Sequence, residues 1–204
     1  MIAFRSLARL AATDAITRAD VRCELCGGPL TDTHRHVVEL GQRGVQCVCH
    51  ACGILFARGS SARFRTIPDR VRIASLFDLT PERWAELGIP VALAFCYRDS
   101  LRGCGVVCYP GPAGVTDAAL EPAVWDAICD ATPLAADLEA DVEALIVRGG
   151  RGATTLRCYL VPISTAYELV GRLRRSWQGF SGGEEAEAEL ASFFAELERR
   201  GERP

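Results

Sequence analysis

The sequence predicts an α+β protein in which a small cysteine-rich module, of zinc-ribbon or rubredoxin-like type, precedes an antiparallel sheet with helices packed on one face. Three observations carry this reading. Residues 23–56 hold two Cys-x-x-Cys pairs and every histidine of the chain. The second half twice repeats a strand, strand, helix pattern, which a four-stranded antiparallel sheet buries most simply. A chain of 204 residues with 49% hydrophobic content is large enough for one main core plus a small module.

The cysteine pairs are the most specific signal. Cys23 and Cys26 are followed by Gly27, and Cys49 and Cys52 by Gly53, with 22 residues between the pairs. A tight turn with thiolates at i and i+3 points both sulfurs at one ion, and glycine meets the positive φ that such a turn tends to need. Two such turns close a tetrahedral four-sulfur shell, so the expected ligands are Cys23, Cys26, Cys49 and Cys52 around zinc, with iron as the alternative. Cys47, His34, His36 and His50 are additional candidates. Alternation places His34, His36 and Val38 on one face of a strand, and Cys47 with Cys49 on one face of a second, with residues 40–44 as the hairpin turn. Five thiols and three imidazoles allow one ion with a polar surround, a His-substituted shell, or two ions. One four-cysteine ion is the preferred expectation, and Cys47 its reserve ligand.

Composition narrows the function classes. Acidic residues exceed basic ones by three, and all 23 basic residues are arginine. No basic stripe interleaved with aromatics runs through the chain, and the acidic balance argues against nucleic acid as partner. No stretch reaches the roughly 18 apolar residues of a membrane span, and the arginine-interrupted N-terminus does not read as an export signal, so a cytoplasmic protein with reduced thiols is expected. Cys96, Cys104, Cys108, Cys129 and Cys158 sit in apolar contexts and read as small buried hydrophobes.

In order, the chain reads as an N-terminal segment 1–21 with a helix near 5–18, a metal module 22–58, a linker 59–70 and an α+β domain 71–204. Thr80 is a good N-cap, Pro81 occupies the first helical position and Gly88 ends the helix, with Trp84 facing inward. Residues 91–99 and 105–111 read as strands. Residues 121–133 form a helix that starts at Pro122 and buries Val124, Trp125 and Ile128. A second hairpin, 142–148 with 155–163, leads to a helix capped by Ser164 with Tyr167, Leu169, Val170 and Leu173 as its apolar stripe. Residues 184–200 close the chain as a helix acidic at its start and basic at its end.

No glycine-rich phosphate loop, Gly-x-Ser-x-Gly elbow or His-Glu-x-x-His helix occurs. Asp137, Glu139 and Asp141 read as solvated charge. Four thiolates would close a metal's shell and leave no reacting position, so a non-catalytic protein is expected.

The runs CELCGGPLTDTHRHVVEL, CVCHACGILF, LGIPVALAFCYRDS, YPGPAG, DVEALIVR and LVPISTAYELVGRLRRSWQGFSGG resemble an actinobacterial protein family. Members of that family tend to be encoded beside genes for high-affinity NiFe hydrogenase and its maturation factors. The resemblance covers nearly the whole chain and implies an accessory role, with a hydrogenase subunit or maturation factor as protein partner; it carries over no catalytic residue. Arg63, Arg65 and Arg70, with Arg172, Arg174 and Arg175, are the expected contact surface, since the guanidinium fork pairs bidentately with carboxylates. Two other classes remain: a one-iron electron carrier, because CELCG and CHACG also resemble rubredoxin knuckles, and a nucleic-acid-binding zinc ribbon.

Overall fold

A computed structural model of the chain describes residues 21–57, 63–89, 93–111, 114–149, 155–178 and 183–203. The helix expected near 5–18 lies outside them. The chain divides into two compact units, Met1–Pro68 and Asp69–Pro204. The boundary falls within residues 59–70, the stretch expected to join module and domain.

In the first unit, strands β1 (Arg35–Glu39) and β2 (Gly44–Val48) form the predicted hairpin. Arg43 takes a positive φ of 52° in the turn between them. Helix α1 (His50–Leu55) follows. Strand β3 (Phe64–Thr66) pairs antiparallel with β1, giving a three-stranded sheet of order β2-β1-β3. Residues 59–70 were expected to be a linker, and β3 corrects that. Only three residues of Arg-Phe-Arg-Thr alternate before Pro68, too short a run to register as a strand. Thr66 ties β3 to α1, its hydroxyl donating to the Gly53 carbonyl at 2.5 Å and its amide to that of Phe56.

The second unit is built on a six-stranded antiparallel sheet of order β4-β9-β8-β5-β6-β7. The strands are β4 (Arg72–Ile73), β5 (Leu93–Asp99), β6 (Cys104–Gly111), β7 (Gly114–Ala119), β8 (Glu143–Gly149) and β9 (Leu156–Pro162). The two predicted hairpins, β5-β6 and β8-β9, lie side by side through β5 and β8. Two short edge strands, β4 and β7, extend the expected four strands to six.

Helices α2 (Pro81–Glu86), α3 (Pro122–Asp130), α4 (Ile163–Ser176) and α5 (Gly183–Arg200) complete the unit, with a 3₁₀ turn at Pro133–Asp137. The α+β class and the antiparallel sheet hold, but the helices cover both faces rather than one. Alternate strand residues explain why. Ala94, Cys96, Leu145, Val147, Cys158 and Leu160 pack with Trp84, Trp125 and Ile128 in one core cluster. The intervening residues face α4 and α5: Phe95 meets Tyr167 edge-on at 5.6 Å, and Tyr159 meets Phe194 at 5.2 Å. Strands apolar at every position, such as Leu145-Ile146-Val147, are those of a sheet buried on both sides.

Helix ends follow the sequence at some sites and depart at others. Thr80 accepts from the Arg83 amide, and Gly88 has φ +81°. Ser164, expected as a cap, lies inside α4, which begins at Ile163 after Pro162. Among the described residues no helix is long and apolar enough to cross a membrane.

Candidate metal centre

The first cysteine pair sits on a tight, self-bonded turn. The Cys23 amide donates to the Gly28 carbonyl at 2.7 Å, and the Gly27 amide to the Cys23 carbonyl at 2.8 Å. Gly27 has φ +72°, the left-handed conformation its position called for. The turn hangs on the outer edge of β2: the Glu24 amide donates to the Cys47 carbonyl at 2.9 Å, and the Cys47 amide to the Glu24 carboxylate at 2.7 Å.

The second pair opens a helix. Cys49 is the N-cap of α1, and its Sγ accepts from the Cys52 amide at 3.5 Å. Gly53 does not supply a positive φ here. It supplies room, because a methyl group at this position would sit 2.5 Å from Cδ and 2.9 Å from Cβ of Arg35. The module is thus a knuckle, a hairpin and a short helix, rather than a ribbon of two hairpin knuckles.

These elements bring the sulfurs of Cys23, Cys26, Cys49 and Cys52 within 4.8 Å of one another, with Cys26 and Cys49 at 3.8 Å. Zinc–sulfur bonds of about 2.3 Å at tetrahedral angles separate sulfurs by about 3.8 Å, so the donor set fits such an ion. Cys23 is buried beside Val37 and Val48, while Cys26 is exposed.

Burial raises the pKa of Cys23, but the amides of Cys49, Cys26 and Leu25, turned toward the sulfur, outweigh it and bring the thiol down to about 6. Cys52 is pushed up to about 12, first by burial and then by the thiols of Cys49, Cys26 and Cys23. Thiols this close oppose one another's ionisation. A divalent cation relieves that conflict by letting all four ionise.

The remaining candidates separate. His34, His36 and Cys47 form a second group whose donor atoms also lie within 4.8 Å of one another. Cys47 is therefore not the reserve ligand of the four-cysteine set, and it does not share a face with Cys49. His50 belongs to neither group; it is exposed, and its Nδ1 accepts from Arg35 Nε at 3.2 Å.

Several expected contact arginines are engaged within the chain. Arg63 pairs with Glu39 at 2.7 Å, and Arg70 grips the buried carboxylate of Glu143 through Nε at 2.6 Å and Nη2 at 2.8 Å. Arg172 joins Glu168 of its own helix to Glu189 and Glu196 of α5. Of the three carboxylates read as solvated, Asp137 and Glu139 are exposed and Asp141 is buried. Asp137 pairs with Arg72, and buried Asp141 accepts from the Ser100 amide at 2.8 Å.

Fold and site together define an α+β protein that carries a four-cysteine candidate metal centre in a separate small unit. The chain belongs to DUF5947, a family of unknown function whose profile matches residues 22–201. No curated protein and no solved structure matches it.

Proposed function

We propose that the protein is a non-catalytic, zinc-binding accessory protein that acts through contacts with a protein partner, and that the partner belongs to the NiFe hydrogenase system. The observation that carries the metal reading is the convergence of four sulfurs within 4.8 Å of one another. A four-thiolate shell is closed, and a closed shell serves architecture rather than turnover. The hydrogenase connection rests on the family resemblance of the sequence and on no contact in the fold. Because Arg63, Arg70 and Arg172 are bound internally, the module's own surface is the better docking candidate; Ile54 is 57% exposed on α1, beside the cysteines.

Deleting the gene and measuring hydrogenase activity and subunit processing in extracts tests the role. Loss of mature, active enzyme supports it. Normal levels of processed, active hydrogenase overturn it. A visible ferric four-sulfur absorption from protein made in iron-replete cells would instead favour electron transfer, since Zn²⁺, a d¹⁰ ion, has no such bands.

A further inference from the structure

The strand register places the chain's second cluster of ligating groups on a different face from the four cysteines. In the β1-β2 hairpin Arg35 is opposite Val48 and Val37 opposite Gln46, while His36 is opposite Cys47 and Val38 opposite Val45. Directly opposed residues of an antiparallel pair project to the same face, and successive residues to opposite faces. Val37 and Val48 pack with Cys23, Cys49 and Cys52. His36 and Cys47 therefore project to the other side, joined by His34 two residues earlier.

Three details make this cluster a prepared site. His34 Nδ1 lies 3.0 Å from the Thr31 carbonyl, which can only accept, so Nδ1 carries the proton and Nε2 the lone pair. That Nε2 is buried and has no hydrogen-bond partner. A backbone carbonyl fixing Nδ1–H while Nε2 is presented is how metal-binding histidines are oriented. The Thr31 carbonyl is itself held in a turn by the Thr31 hydroxyl, which donates to the Thr33 carbonyl at 2.6 Å. The His34 and His36 rings stand 4.8 Å apart, centroid to centroid. Finally, Cys47 is locked in place at both backbone groups by Glu24.

We propose that His34, His36 and Cys47 form a second metal site, across the hairpin from the four cysteines. It holds a transition-metal ion of the nitrogen- and sulfur-seeking class through three protein ligands and leaves a fourth position for water or an added anion. Two imidazoles and one thiolate suit zinc, cobalt or copper and not the oxygen-seeking magnesium or calcium. Bond lengths of about 2.0–2.3 Å need donor separations of about 3.4–3.6 Å, which side-chain torsions reach from the observed span. Three protein ligands with one open position is the pattern of an exchangeable or reactive site, in contrast to the closed four-sulfur shell. The site stands whether or not the four cysteines hold zinc.

Titration of the reduced, full-length protein with Co²⁺, followed by absorption spectra and metal analysis, tests this. The expected result is two equivalents per chain, with the wild-type spectrum the sum of a four-sulfur and a mixed nitrogen–sulfur component. His34→Ala/His36→Ala should fall to one equivalent and keep the four-sulfur bands, whose persistence shows that the module is folded. Cys47→Ser should behave likewise. Azide should shift only the mixed component, in the wild type and not in the double variant. Saturation of the wild type at one equivalent, two equivalents retained in the double variant, or a spectrum indifferent to azide overturns the proposal. Failure of the four-cysteine site would show separately, as loss of the four-sulfur component alone.

Discussion

Cys158 shows at the scale of one residue how burial decides what a cysteine does. It lies on β9 inside the core, and burial raises its thiol to about 12. Cys96 is raised in the same way by burial and by the neighbouring thiols of Cys108, Cys158 and Cys129. Such thiols stay protonated, inert and apolar, as their sequence contexts indicated. The linkage has a definite sign. The unfolded thiol ionises near 9 and the folded one near 12, so the stabilisation is complete below pH 9 and is lost as pH rises toward 12. Unfolding by urea should therefore show the sheet unit losing a few kcal/mol between pH 9 and pH 11. In Cys158→Ala that slope should be shallower, and an unchanged slope would deny the thiol this role.

Arg70 makes the same point about charge. Glu143 opens β8 and its side chain is fully buried, where Arg70 and the Glu139 amide satisfy it. Removing one partner of a buried pair leaves an uncompensated charge, at about 3–5 kcal/mol. Arg70→Ala should lower the stability of the second unit by roughly the lower end of that range, because the guanidinium is itself partly solvated. A change below 1 kcal/mol in denaturant titration would mean that the pair is a mere surface contact.

At the scale of elements, close approach fixes several positions. Gly105 on β6 lies under the Trp125 indole of α3; a methyl group there would stand 2.2 Å from Cε3. Since no open space remains, Gly105→Ala should cost about 1–3 kcal/mol and shift the tryptophan fluorescence. Wild-type stability in that variant would place α3 elsewhere. Much at this scale was legible in the sequence. The Thr80-Pro81 start, the two hairpins and the knuckle with Gly27 follow from local chemistry, which acts over a few residues. What escaped depends on distant partners. Phe64–Thr66 becomes a strand only because β1 offers an edge, and Arg72–Ile73 only because β9 does. Both faces of the sheet are covered because α3 and α4 follow their hairpins onto opposite sides, a choice absent from the strand, strand, helix pattern. Cys47 joined His36 rather than the four cysteines through a register that only the folded hairpin sets.

For the whole molecule, the two units differ in what holds them. The sheet unit has a contiguous core around Trp84, Trp125 and Leu145. Among the described residues the small unit's core cluster is Cys23, Val37 and Val48 with a ring of half-buried neighbours, a modest core to which an ion held by the four cysteines would add stability. A chelator should thus release hydrogen-exchange protection in residues 21–57 while leaving 114–149 protected. Uniform protection in both units would show that the small unit is stable without metal. The central claim, that Cys23, Cys26, Cys49 and Cys52 close around one zinc ion, is tested most directly by metal analysis of the purified chain beside its Cys23→Ser and Cys52→Ser variants. The expected result is that each variant loses one zinc equivalent that the wild type holds and that acid also releases. Full zinc content in either variant would contradict the claim.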